Sequence, residues 1–158
     1  MQIKEIVVHT DGSSLNNPGP GGYAAVLMYK NHRKELYGGF RKTTNNRMEL
    51  LGVIKALEAL TERCNVTIHS DSKYVVNAFN KNWIYSWDKK GWITSSKQEV
   101  KNSDLWKRLL KLSKEQNINF VWVKGHDGNE ENEFCDELCR NAARHNQLGV
   151  DLFYENSQ

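Results

Sequence analysis

Residues 3–12 read IKEIVVHTDG, and the way this run ends sets the fold. Ile3, Ile6, Val7, Val8 and Thr10 give it the β-branched density of a strand, and Asp11-Gly12 punctuates it. The next ten residues, SSLNNPGPGG, hold both prolines of the chain and read as a loop. Residues 23–30 and 35–43 read as two more strands, antiparallel neighbours. At residues 44–60 the apolar period changes: Val53, Ala56 and Leu60 share one helical stripe, with Met48 and Leu51 beside it. A short strand over 66–70 ends at Asp71. Helical stretches follow at 72–79 and 104–115, the second with Leu105, Leu109 and Leu112 on one face. Residues 118–123 form a fifth strand and 125–131 a Gly-rich polar loop. Residues 132–145 close the chain's core as a helix with Cys135, Leu138, Cys139 and Ala142 facing inward. This order predicts an α/β fold, a five-stranded mixed sheet with helices on both faces. One domain spans 1–158, with a core over about 3–145 and a loosely held tail after Gln147. There is no repeat, low-complexity tract or linker.

At 158 residues the chain is long enough to bury a core without staples. Its net charge of +3 is modest, but the distribution is uneven. Residues 80–114 carry nine Lys/Arg against three Asp/Glu, so the remainder is slightly acidic. A localised contact with a polyanion fits that asymmetry. Cys64, Cys135 and Cys139 are odd in number and close no disulfide framework. Cys135 and Cys139, four apart on a helix, read as small core residues. No apolar run approaches the roughly 18 residues that cross a bilayer, and the first residues lack the apolar segment of a signal peptide. A cytoplasmic protein is expected.

Four carboxylates stand at informative places. Asp11 and Asp71 end the first and fourth strands, and open sheets with parallel strands bind ligands at such ends. Glu49 lies in the first turn of its helix, on the stripe that turns toward the sheet, and Asp136 stands near the start of the last helix. Singly, each has a plainer explanation: Asp11-Gly12 as a turn, Glu49 and Asp136 as compensation of a helix dipole. Gathered in one pocket they would repel, a like pair 4 Å apart costing about 4 kcal/mol at an effective dielectric near 20. Divalent cations offset that repulsion, and hard oxygen ligands select Mg²⁺ or Mn²⁺. Two such ions roughly 4 Å apart can clamp the attacking and leaving oxygens of a phosphodiester displacement.

Four motifs occur together and in order: TDGS at 10–13, TNNRMEL at 44–50, SDS at 70–72, and Gly125-His126 followed ten residues after His126 by Asp136. With them the chain resembles the type 1 ribonuclease H family over about residues 3–145. Ser70 replaces the commoner Thr in the third motif. The resemblance implies a ribonuclease H-like fold and endonucleolytic hydrolysis of the RNA strand of RNA–DNA hybrids, leaving 5′-phosphate and 3′-hydroxyl ends. It also implies Asp11, Glu49, Asp71 and Asp136 as catalytic acids holding two Mg²⁺, for which Mn²⁺ can substitute. By the same resemblance His126, in a loop expected to be mobile and exposed, takes an auxiliary part in proton transfer or product release, a role that suits an imidazole, which exchanges protons near neutrality.

Trp83, Trp87, Trp92 and Trp106 lie in or beside the basic stretch. At least two of them are expected to pack this region on itself, and its lysines could form a merely solvated face. The interleaving of cations with flat rings points to nucleic acid. The stretch resembles the basic protrusion, or handle, of bacterial and animal family members. By that resemblance Trp83, with Tyr74 beside it, lines the groove for the DNA strand, and Lys89, Lys90 and Lys97 meet phosphates. Asn17, Asn45 and Asn46 match positions that touch the minor groove of the hybrid, where the 2′-hydroxyl distinguishes RNA. Thr44 and Asn102 match positions that seat a DNA-strand phosphate, and Thr44 is also a helix N-cap. Lys73 stands where bacterial relatives often have Gln. The expected partner is the hybrid alone, met by a monomer without membrane or obligate protein partner. The competing readings are a DNA-acting nuclease of the same fold and a catalytically silent hybrid-binding module.

Overall fold

A computed structural model describes residues 2–158. Strands β1 (Glu5–Ser14), β2 (Gly19–Tyr29) and β3 (His32–Thr43) form an antiparallel meander. Helix α1 (Asn45–Glu58) then crosses to β4 (Asn65–Ser70), which pairs parallel to β1. Helices α2 (Lys73–Asn80), α3 (Trp83–Lys89) and α4 (Ser103–Ser113) lead to β5 (Asn117–Trp122), parallel to β4. Helix α5 (Glu130–Ala143) and a short α6 (Leu152–Asn156) follow. The strand order β3-β2-β1-β4-β5 gives the expected five-stranded mixed sheet.

Alternation along the strands sorts side chains to two faces. Ile6 and Val8 of β1, Ala25 and Leu27 of β2, and Val66 and Ile68 of β4 point into the larger core, against α1, α2 and α4. The opposite face is thinner: Ala24 and Val26 meet Cys135 and Cys139 of α5. All three cysteines are buried and unpaired, so the core role expected of Cys135 and Cys139 is what the structure shows.

Two glycines let the helices come close. A Cβ on Gly12 would lie 2.2 Å from the carbonyl carbon of Met48 in α1. One on Gly22 would lie 2.2 Å from the carbonyl oxygen of Cys139 in α5. Neither contact is sterically possible, so glycine at these points draws both helices onto the sheet beside Asp11.

Three sequence expectations need correction. Strand β1 runs past Asp11 to Ser14, because Asp11 still pairs with Ala24 of β2; only the parallel pairing with β4 ends earlier, at His9 and His69. Helix α5 starts at Glu130, since the Asn129 side chain caps it by accepting from the Asn132 amide at 3.0 Å. The segment after Gln147 is not loosely held. Gly149 exchanges backbone hydrogen bonds with Gly39 and Arg41, and buried Asp151 accepts from Arg47 Nε at 2.7 Å. That pair joins positions 104 residues apart, which no local pattern reports.

Candidate active site

The parallel ladder of β1 and β4 places Asp11 and Asp71 two residues beyond its last rung, on neighbouring strands at the same end. Both lie on the α5 side of the sheet. Glu49 reaches them from α1. It is the fifth residue of that helix rather than part of its first turn, and Thr44 caps the helix by accepting from the Arg47 amide at 3.3 Å. Asp136 is the seventh residue of α5, where Glu130, Glu131 and Glu133 already occupy the first turn. Dipole compensation therefore does not account for either Glu49 or Asp136.

Ligand oxygens of Asp11, Glu49 and Asp71 lie within 4.8 Å of one another, and Asp11 is within the same distance of Asp136 and the Cys139 sulfur. Asp11 is thus common to two groups that together contain all four acids. The Gly12 amide donates to Asp11 Oδ1 at 2.9 Å and also to Glu49 Oε1, tying the two carboxylates to one donor. Asn132 Nδ2 donates to Asp71 Oδ2 at 3.4 Å, and the Asp71 carbonyl accepts from Trp122 Nε1 at 3.1 Å. Asp136 pairs with Arg140 one turn on, at 2.6 Å. Among the described residues, no Lys or Arg forms an ion pair with Asp11, Glu49 or Asp71.

Burial without a counter-charge has an electrostatic cost. Burial, reinforced by the charges of Asp71 and Asp136, pushes the Asp11 carboxyl up to about 7 against the hydrogen bond from Glu49. Burial, then the neighbouring Asp11, lifts Glu49 well above the usual carboxylate range. Burial also raises the Cys139 thiol, which keeps it protonated and leaves a donor set of carboxylate oxygens. Such a set fits a hard divalent cation, whose charge would let these carboxyls ionise.

His126 is exposed, holds a left-handed backbone at φ 57°, and shares an open cavity of about 460 Å³ with Asp136 and Arg140. Asn17, Thr44, Asn46 and Asn102 line another cavity, of about 640 Å³. Asn45 braces its rim, accepting from the Ser14 amide at 2.6 Å while its own amide donates to Asn17 Oδ1 at 3.1 Å. Asn102 Nδ2 and Trp106 Nε1 both donate to the Tyr74 hydroxyl, at 3.1 and 3.0 Å, so Tyr74 reaches the groove through Asn102.

Trp87 packs on both Trp92 and Trp106, which belong to the larger core, while Trp83 stays exposed with the Lys81 ammonium 5.9 Å from its ring centre. Lys89, Lys90 and Lys97 are exposed on the handle and do not line the 640 Å³ cavity. Sequence reasoning missed Arg47 and Asn132. Arg47 sat inside a quoted motif, TNNRMEL, but its burial is visible only once Asp104 and Asp151 converge on it.

The RNase H family model matches residues 3–144. The chain belongs to the ribonuclease H family. It is a type 1 ribonuclease H, and its activity is ribonuclease H activity on RNA–DNA hybrids. A ribonuclease H of Desulforamulus reducens is 54% identical over 150 residues, covering 95% of this chain and 94% of that one. One of Shewanella denitrificans is 54% identical over 154 residues, covering 98% and 96%. Among solved structures, LC9-RNase H1, a type 1 RNase H with the type 2 active-site motif, superposes with TM-score 0.83 at 25% identity, covering all of this chain and 83% of that one. LC11-RNase H1, solved in complex with RNA/DNA hybrid, shares the fold at TM-score 0.64 and 23% identity, covering 88% and 96%. No helix among the described residues of this ribonuclease H is long and apolar enough to cross a membrane.

Proposed function

We propose that this ribonuclease H cuts within the RNA strand using two divalent cations held by Asp11, Glu49, Asp71 and Asp136, leaving 5′-phosphate and 3′-hydroxyl ends. The observation that carries this is the convergence of Glu49 and Asp71 on a buried Asp11, all within 4.8 Å of one another and, among the described residues, without a cationic partner, with Asp136 also beside Asp11. Mg²⁺ is the natural ion, with Mn²⁺ able to replace it. When bound, the cations supply charge to the attacking water and to the departing 3′ oxygen.

The chain's own part is positioning. Gly12 and Asn132 orient the carboxylates through hydrogen bonds, and Arg140 holds Asp136 from the solvent side. His126, across an open cavity from Asp136, accepts or returns a proton as product leaves. Asn17, Asn45 and Asn46 face the minor groove, where the 2′-hydroxyl separates RNA from DNA. Thr44 and Asn102 seat a DNA-strand phosphate, Trp83 and Tyr74 flank that strand, and Lys89, Lys90 and Lys97 contact phosphates further along. That LC11-RNase H1, a protein of the same fold, has been solved with an RNA/DNA hybrid supports the hybrid as the partner. The enzyme acts as a monomer, and three unpaired thiols suit a reducing, cytoplasmic setting.

A comparison of four labelled substrates in Mg²⁺ tests the reading. Cutting should be confined to the RNA strand of the hybrid, with 5′-phosphate ends. Equal cutting of duplex DNA, duplex RNA or single-stranded RNA contradicts it.

A further inference from the structure

The cavity lined by Thr44 and Asn102 has a second wall that nothing in the motifs announces. Tyr154, Ser157 and Gln158, from α6 and the residues after it, line it together with those two polar side chains. This wall is fastened by one carboxylate. Asp151 Oδ2 accepts from Arg47 Nε at 2.7 Å and from the Thr43 hydroxyl at 2.7 Å. Asp151 Oδ1 accepts from an Arg47 terminal nitrogen at 3.0 Å and from the Tyr154 amide at 3.4 Å, which caps α6.

Arg47 is 2% exposed, and a guanidinium has five N–H groups. Two go to Asp151, two to Asp104 at 2.8 and 2.7 Å, and one to Asn102 Oδ1 at 3.3 Å. None is left for a ligand. Arg47 therefore does not grip a phosphate itself. It locks the start of α1, the start of α4 and the α6 segment into one frame, and its plane lies 5.4 Å from the ring centre of Phe153. Asn102 gains most from this frame. It adopts a left-handed backbone at φ 61°, and its side chain is fixed from both ends, by Arg47 and by the Tyr74 hydroxyl. The remaining positive charge at the cavity belongs to Lys101.

We propose that α6 and the residues after it form one wall of the DNA-strand phosphate seat, and that Asp151 is a positioning residue for it, acting through Arg47 on Asn102. This rests on the reading of Thr44 and Asn102 as that seat. Without Asp151, the Arg47 plane turns, Asn102 loses its brace and α6 loses its cap. The expected consequence is weaker binding of hybrid with the reacting groups untouched, which separates this role from plain stabilisation.

The test uses the full chain and hybrids in which one DNA linkage at a time is an uncharged methylphosphonate. In the parent enzyme one linkage should raise KM most, and Asn102→Ala should abolish that sensitivity. Tyr154→Ala and Asp151→Asn should each raise KM about 3- to 10-fold on unmodified hybrid, keep kcat within about twofold, and lose the sensitivity at the same linkage. A Tyr154→Ala enzyme with unchanged KM and unchanged sensitivity overturns the proposal, whatever Asp151→Asn does. A folded Asp151→Asn enzyme with unchanged KM overturns the role of that residue. If Asp151→Asn does not fold, half-buried Tyr154 decides alone. Absence of any sensitive linkage in the parent enzyme, with Asn102→Ala also silent, instead brings down the phosphate-seat reading itself.

Discussion

Asp11 is the carboxylate that the other three acids approach, and its protonation is readable without substrate. Its carboxyl, ordinarily at 3.8, is pushed up to about 7 in the fold chiefly by burial. A carboxyl raised in this way favours the folded state while protonated and opposes it once charged. Asp11 and Glu49 titrate as a pair, both raised, so the pair's contribution to stability is fully present below about pH 4 and lost as pH rises through about 7 and beyond. In chelator, Asp11→Asn should therefore melt higher than the parent at pH 8, by about 3 °C or more, with the gap closing below pH 4. His9, held down to about 4 by burial and by stacked His69, titrates in both proteins and cancels from the difference. The same variant should lose at least about 100-fold in kcat in Mg²⁺. Melting curves of the two proteins across pH check the first claim; an equal gap at all pH values contradicts it.

Among the elements, the contact of α1 with β1 sets the site. Gly12→Ala would drive a methyl group to 2.2 Å from Met48 and 2.3 Å from the Glu49 amide, both backbone atoms. The helix must move, and Glu49 with it. A loss of about 2 kcal/mol or more in denaturant unfolding is expected, together with a large fall in kcat. Unchanged stability would mean that the helix yields freely. How legible each element was in the sequence follows from where its stabilisation comes from. Helix α1 was legible because Thr44, its cap, lies three residues from the amide that it binds. Helix α3 was not: of its seven residues only Ile84 is buried, so no apolar stripe marks it. Helix α6 was read as loose tail because its partner, Arg47, is far away along the chain. The four acids were found through their motifs. Their order along the chain does not contain the closeness of Asp11 to all three others, which Gly12 and Gly22 bring about by admitting the two helices.

At the scale of the whole molecule, charge is divided between a basic handle and a site that gathers four acids. Such a division suits a long polyanion, held at one end and cut at another. Neutralising Lys89, Lys90 and Lys97 together should raise KM more than it lowers kcat and flatten the dependence of KM on salt; an unchanged KM would reduce the handle to scaffold. The convergence of the acids has a sharper test. Cleavage of a labelled hybrid should be measured after chelation and during titration with Mg²⁺, for the parent and for Asp11→Asn, Glu49→Gln, Asp71→Asn and Asp136→Asn, each first shown to be folded. Cleavage is expected to vanish in chelator, to return with Mg²⁺ in the parent, and to stay at least about 100-fold down in all four variants. Undiminished cutting in chelator, or a parental rate in any folded variant, would contradict a single metal-holding site built from these four carboxylates.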